Sequence, residues 1–315
     1  MKRAFIFPGQ GSQAVGMGKA LAENFPQAKA VFDEVDDALS QKLSAIMWDG
    51  PAEDLTLTAN TQPALMAVSL AAIRVLEAEA GLDLKKHATY VAGHSLGEYS
   101  ALAAAGSLSI ADTARLLRIR GNAMQNAVPV GQGAMAALLG LEYDAALEVA
   151  KAAAQGEVCD AANDNGGAQV VVSGHKAAVE RAVVIAQEKG AKRAVMLAVS
   201  APFHCALMAP AAEAMREALA KVTVNAPVVP VVANVEAAPI TDPNAIRDAL
   251  VRQVTGTVRW RESVAYMAAQ GVDSFYEVGS GKVLTGLVKR IAAGASSAAI
   301  GTPEDVAAFK ASLQG

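Results

Sequence analysis

The chain has 315 residues, of which 53% are hydrophobic, 18% charged and only 4% aromatic. That apolar share excludes disorder as the main state, and the length fits about two domains or one α/β domain with an insertion. A net charge of −4 offers no basic field, so neither nucleic acid nor an anionic membrane surface is expected as a partner.

The mean hydropathy of +0.27 is high. Even so, Arg, Glu, His or Gly breaks each apolar stretch well before the roughly 18 residues a membrane span needs. The apolar run before Pro8 is too short for a secretory signal. Cys159 and Cys205 are too few for a disulfide framework or an all-cysteine zinc site. A reduced, cytoplasmic setting is expected.

Residues 3–7 form an apolar run bounded by Pro8-Gly9, which predicts a short buried strand. The glycine-rich Gly9-Gln10-Gly11-Ser12-Gln13 follows and gives way to helical periodicity. Asn60-Thr61-Gln62-Pro63 reads as a capped helix start, with the helix stopping at Gly81. A strand over 88–92 enters Gly93-His94-Ser95-Leu96-Gly97-Glu98, and a small-residue helix over 95–105 leaves it. Another helix is predicted over 110–126, ahead of Pro129.

The middle of the chain predicts a strand over 135–139, a helix over 143–154 and a strand over 158–162. Asn163-Asp164-Asn165-Gly166-Gly167 is hairpin-turn chemistry. A strand over 169–173, a helix over 176–188 and a strand over 193–199 follow. The order β-α-β-β-α-β is the ferredoxin-like pattern. It predicts a small subdomain at 128–198, inserted into a core made of 1–127 and 199–315. Beyond it, helices are predicted over 209–221, from Asp242-Pro243 to 254, and over 260–270, with strands over 228–233, 274–277 and 298–300. Alternating strands and helices place the core in the α/β class, with a mostly parallel sheet covered on both faces.

Gly93-His94-Ser95-Leu96-Gly97 fits G-x-S-x-G between a predicted strand and a predicted helix, which is the setting that pattern requires. A sharp turn there exposes the Ser95 hydroxyl, and two glycines let neighbouring backbone approach. The helix start aims free N–H groups and a positive dipole end at any oxyanion formed beside Ser95. The same residues also fit a plain glycine-rich turn with Ser95 as helix cap; the local pattern leaves both readings open.

An activated serine needs a base. His94 adjoins Ser95 and should diverge from it in a tight turn. His87 follows two lysines before a strand, and His175 opens a helix. His204 lies in a strand-to-helix loop, where catalytic groups concentrate. No acid lies in a matching loop: Asp273 and Asp242 are candidates, but Asp242 reads better as a helix cap. Asp112, Asp144, Asp160 and Asp164 fall in helix starts or the inserted segment. A Ser–His dyad without a carboxylate fits the sequence better.

Several spaced segments in the right order resemble the malonyl-CoA:acyl carrier protein transacylases. They are Phe7-Pro8-Gly9-Gln10-Gly11-Ser12-Gln13, the segment from Gly93 to Glu98, Arg120-Gly121 with Met124-Gln125, Phe203-His204-Cys205, Gln253 with Val258-Arg259-Trp260, and Glu277 to Leu284. Ser280 departs from the proline usual in that family, in a turn where little effect on the chemistry is expected. The resemblance implies an α/β-hydrolase-like core with a ferredoxin-like insertion. It implies Ser95 as nucleophile, His204 as general base and acid, and the Gln253 backbone carbonyl orienting His204. It further implies the N–H groups of Gln10 and Leu96 as oxyanion hole, Arg120 as the partner of the malonyl carboxylate, and Met124 and Phe203 as substrate contacts. Malonyl-CoA and holo acyl carrier protein are the implied substrates, with no metal or redox cofactor and a monomeric state.

A malonyl thioester differs from an acetyl one by a carboxylate, which a buried arginine can meet through two parallel hydrogen bonds. Without the motif, Arg115, Arg118 and Arg120 would read as solvated positions of one helix. Phe203 before the histidine resembles the malonyl-selective branch, because methylmalonyl-selective members tend to carry serine there; it also fits a core aromatic. A malonyl-loading enzyme of a polyketide pathway would share these motifs. A thioesterase and a non-catalytic carrier-binding domain are the rival functions.

Overall fold

Strand β1 (Arg3–Phe7) lies at the middle of the larger of two sheets in the computed structural model, which describes residues 1–314. Its side chains alternate between two cores: Phe5 and Phe7 enter one, while Ala4 and Ile6 enter a second that also holds Trp260. A strand covered on both faces has no polar side to present, which explains the unbroken apolar run.

The remaining strands are β2 (Tyr90–Gly93), β3 (Gly133–Leu139), β4 (Cys159–Asp164), β5 (Gln169–His175), β6 (Arg193–Met196), β7 (Val231–Val232), β8 (Pro239–Ile240), β9 (Ser274–Val278) and β10 (Ser296–Ile300). The larger sheet has the order β10-β9-β1-β2-β7-β8 and is parallel except for the β7–β8 pair. The helix Thr58–Ala80 is buried along most of its length, beside the helices Pro26–Leu39 and Ile110–Asn126.

The smaller sheet is antiparallel, in the order β4-β5-β3-β6. Ala136 and Leu138 of β3, with Val170 and Val172 of β5, pack against the helices Tyr143–Ala154 and Lys176–Glu188. The alternate residues Met135 and Val171 join the main core instead. Backbone bonds from Asp164 N to the Val258 carbonyl and from Val258 N to the Ala162 carbonyl tie this sheet to the segment before the helix Trp260–Ala269.

The structure differs from the sequence expectations most in three places, apart from shifted ends such as the strand expected over 193–199, which stops at Met196, and the helix expected from Ser95, which begins at Gly97. Pro63 lies inside the helix Thr58–Ala80 rather than at its start. Asn60 and Thr61 do not cap it; their side chains donate to the carbonyls of Asp54 and Leu55 and tie the first turn to the preceding segment. Residues 19–56 hold four helices, Lys19–Asn24, Pro26–Leu39, Leu43–Asp49 and Ala52–Thr56, where periodicity gives only a general helical signal. The strand expected over 228–233 shrinks to the two residues of β7, which turn back into β8. Among the described residues no helix is long and apolar enough to cross a membrane.

Candidate active site

β2 ends at Gly93, and the helix Gly97–Ala104 begins four residues later. A Cβ on Gly93 would lie 1.8 Å from the Gly97 carbonyl oxygen, and one on Gly97 would lie 2.3 Å from that of Phe7. Only glycine fits either position. Between them Ser95 is forced to φ 54°, a left-handed conformation that a non-glycine residue adopts at a cost. Asn234, just after β7, clamps this turn from both sides: its Oδ1 accepts from Ser95 N at 2.8 Å and its Nδ2 donates to the Gly93 carbonyl at 2.7 Å.

Ser95 Oγ lies 2.7 Å from His204 Nε2. On the other side of the imidazole, Nδ1 is 2.8 Å from the backbone carbonyl of Gln253. A carbonyl only accepts, so Nδ1 carries the proton and Nε2 presents its lone pair to the serine hydroxyl. Burial, followed by the nearby charge of Arg120, pushes the His204 pKa down to about 3. The ring is therefore neutral, with the Nε2 lone pair free, across the physiological range.

Arg120 is only 1% exposed, deep on the helix Ile110–Asn126. Its Nη2 donates to Ser95 Oγ at 3.0 Å and to Gln253 Oε1 at 2.8 Å, and its Nη1 donates to Gln62 Oε1 at 2.8 Å. Nε, also buried, has no hydrogen-bond partner, and the guanidinium carbon lies 5.6 Å from the centroid of the Tyr99 ring. All three acceptors are neutral. The arrangement can receive a carboxylate beside the serine and can take up negative charge on its oxygen.

A cavity of about 410 Å³ opens at Ser95, His204 and Arg120. The larger-sheet region lines it with Gln10, Leu96, Met124, Phe203 and Leu284, and the smaller sheet with Met135, Asn163 and Val171. Among the described residues, neither the Gln10 nor the Leu96 backbone N–H meets a protein acceptor. Met124 Sδ accepts from Gln62 Nε2 at 3.7 Å. Phe203 is buried against the main core as well as lining the cavity.

The other histidines and acids lie elsewhere. His94 turns away from Ser95, with its Nε2 2.8 Å from Asn165 Oδ1 at the end of the β4–β5 hairpin. His87 and His175 accept backbone N–H groups through Nδ1. Asp242 caps the helix Pro243–Thr255. Burial pushes the thiols up, Cys159 to about 12 and Cys205 to about 11, so neither supplies a thiolate near neutral pH. Glu277 accepts from the backbone N–H groups of Leu284 and Thr285, and Ser280 Oγ donates to the Ser12 carbonyl at 2.7 Å.

Three side chains that converge here have no place in the sequence reading of the site. Gln62 reads there only as part of a helix start, and Asn234 follows the strand expected over 228–233. Glu98 stands inside the quoted GHSLGE segment, whose last residue is the one available hint. Its carboxylate is buried and accepts from Asn234 N at 2.9 Å and from Gln253 Nε2 at 3.1 Å. Burial raises its pKa to about 7, against the opposing pull of those two donors and of Arg120.

A strand–serine–helix turn with a histidine and a buried arginine on its hydroxyl is the equipment of an acyltransferase, and residues 4–307 match the acyl transferase domain family. Malonyl CoA-acyl carrier protein transacylase of Escherichia coli K12 is 51% identical over 305 residues, covering 97% of each chain. The crystal structure of an acyl-carrier-protein-S-malonyltransferase from Bartonella henselae is 58% identical, covers 100% of both chains and superposes with a TM-score of 0.98. A malonyl-transacylase solved with a type II PKS acyl-carrier protein is 43% identical, covers 99% of this chain and 100% of its own, and has a TM-score of 0.95. This chain belongs to the acyl transferase family and, within it, to the malonyl CoA-acyl carrier protein transacylases.

Proposed function

We propose that the protein moves the malonyl group of malonyl-CoA to the phosphopantetheine thiol of holo acyl carrier protein through an ester on Ser95. The observation that carries this reading is the 3.0 Å contact of Arg120 Nη2 with Ser95 Oγ. It sets a buried, donor-only cation where the free carboxylate of a short acyl group would lie when its thioester carbon meets the serine.

Ser95 Oγ attacks that carbon as its proton passes to His204 Nε2. The oxyanion falls to the N–H groups of Gln10 and Leu96, the latter at a helix N-terminus. The C–S bond then breaks, and His204 returns the proton to the CoA sulfur. The carrier thiol reverses the sequence: it gives its proton to His204, attacks the ester and releases Ser95 Oγ. The Gln253 carbonyl keeps the imidazole in the required tautomer, which leaves no role for an acidic third member. Met124 and Phe203 shape the acyl end of the cavity. The chain's own residues suffice for this chemistry without a metal or redox cofactor.

Residues 1–127 and those from 199 on act as an α/β-hydrolase-like catalytic core in this reading, with 128–198 as a ferredoxin-like subdomain closing the cavity. The strand order β4-β5-β3-β6 supports that subdomain. A cytoplasmic monomer fits the reading. The neighbour solved with a type II PKS acyl-carrier protein favours a second role, loading malonyl groups in a polyketide pathway.

Incubation with labelled malonyl-CoA and holo carrier protein, followed by mass spectrometry of trapped intermediates, tests the reading. Label should appear on Ser95 and move to the carrier. Label released as free malonate without a carrier would mark a thioesterase, and no label on Ser95 would leave a binding domain.

A further inference from the structure

Gln253 has two jobs at once. Its backbone carbonyl holds His204, and its side-chain Oε1 accepts from Arg120. An arginine offers only donors, so the Gln253 amide must present its oxygen to the guanidinium and its nitrogen to the opposite side. There Nε2 meets three acceptors: the Ser95 carbonyl at 3.0 Å, Glu98 Oε2 at 3.1 Å and Asn234 Oδ1 at 3.2 Å.

Each of those acceptors also takes a second N–H. The Ser95 carbonyl takes the Glu98 N–H, and Asn234 Oδ1 takes the Ser95 N–H. Glu98 is the acidic member of the set, and its Oε2 is also held by Asn234 N at 2.9 Å. Of the three it alone can carry a negative charge, and a hydrogen bond to a charged acceptor holds an amide more firmly than one to a neutral oxygen.

We propose that Glu98 is a positioning residue for acyl selectivity: it anchors the Gln253 amide, and through it the aim of Arg120 at the acyl carboxylate. The inference rests on Arg120 receiving that carboxylate. Asn234 holds the serine turn through its side chain, at Gly93 and Ser95, and Glu98 reaches that turn only through the Asn234 N–H, so the test reads the reactivity of Ser95 separately.

Glu98→Ala removes the acceptor, Glu98→Met removes it while keeping the volume, and Glu98→Gln keeps an acceptor oxygen. The test measures kcat and KM for malonyl and acetyl transfer in each variant. It also follows Ser95 labelling by an uncharged fluorophosphonate. In Glu98→Ala the malonyl-over-acetyl ratio of kcat/KM should fall about tenfold or more. Labelling should stay within about threefold in the same variant, and Glu98→Gln should restore the ratio. Should Glu98→Ala not fold, Glu98→Met makes the same comparison. An unchanged ratio in the folded apolar variant overturns the proposal, and so does a loss of labelling as large as the loss of malonyl transfer. Failure of the unsubstituted protein to transfer malonyl would instead overturn the reading of the site on which the proposal rests.

Discussion

Arg120 donates to the hydroxyl of Ser95 at 3.0 Å and makes no contact with a carboxylate among the described residues. A fully buried guanidinium whose hydrogen bonds all go to neutral oxygens bears its desolvation cost with no carboxylate in contact, Glu98 acting on it only from beyond Gln253. In the proposed reading a substrate carboxylate supplies that partner, and an acetyl group does not. Arg120→Met, which keeps much of the bulk and removes the charge, should lower the malonyl-over-acetyl ratio of kcat/KM by about 100-fold or more, the scale of a few kcal/mol. Parallel assays with the two CoA esters decide it; a ratio within about threefold of the parent would place the malonyl carboxylate elsewhere.

His204 should remain a base far below the usual imidazole range. Burial and Arg120 hold its pKa near 3, so the free enzyme keeps a neutral Nε2 at pH 5. Labelling of Ser95 by an uncharged fluorophosphonate should therefore show no tenfold-per-unit decline between pH 7 and 5. The group titrating in that window, Glu98, does not touch Ser95 Oγ, and the Glu98→Gln variant controls for it. An acid limb near 6.5 in both proteins would show that the imidazole is solvated.

The serine turn was legible in the sequence because its constraints are local. Gly93 and Gly97 exclude any Cβ, and both lie within two residues of Ser95. The smaller sheet was legible because each strand and helix there has its own period and turn residues. The polar set beneath the turn was not. Gln62, Glu98, Asn234 and Gln253 come from four separate segments; Gln253 stands out only through the resemblance and for its backbone carbonyl, Glu98 only as the last residue of its motif, and Gln62 and Asn234 look ordinary where they stand. Only the tertiary fold shows that one amide must bridge a donor-only arginine and a buried acid. Residues 19–56 were opaque for another reason. Three of their helices, Lys19–Asn24, Leu43–Asp49 and Ala52–Thr56, are too short to show a period and hold by packing and by single contacts such as Asp36 accepting from Ser44 N and Oγ, while Pro26–Leu39 buries a stripe of Ala28, Val31, Phe32 and Val35.

Phe203 lines the cavity next to His204 and is 8% exposed, and in the proposed reading it faces the acyl group. A planar ring there leaves little room for a branch on the α-carbon. Phe203→Ser should raise turnover of methylmalonyl-CoA relative to malonyl-CoA, and should also cost about 3 kcal/mol of stability or more through the cavity it leaves. Competition assays with the two CoA esters, alongside a melting curve, separate the effects. Lost stability with an unchanged substrate ratio would reduce Phe203 to a packing residue.

Glu98 makes stability depend on pH in a direction opposite to that of most carboxylates. Its pKa is about 7 in the fold, against the ordinary glutamate value of 4.5 expected of the unfolded chain. Between those values the unfolded chain gives up the proton while the folded one keeps it, so the unfolded state binds fewer protons and stability falls as pH rises. The contribution is fully present below pH 4.5 and lost as pH rises through about 7. The loss is on the order of 3 kcal/mol by pH 8. Glu98→Gln keeps the volume and one acceptor oxygen and does not titrate. The difference in Tm between variant and parent should therefore shift by several degrees in the variant's favour between pH 5 and pH 8. His204 loses stability in the opposite direction, as pH falls, but both proteins carry it and it cancels in the difference. A Tm difference that stays flat across that range would mean that Glu98 ionises in the fold much as it does in water.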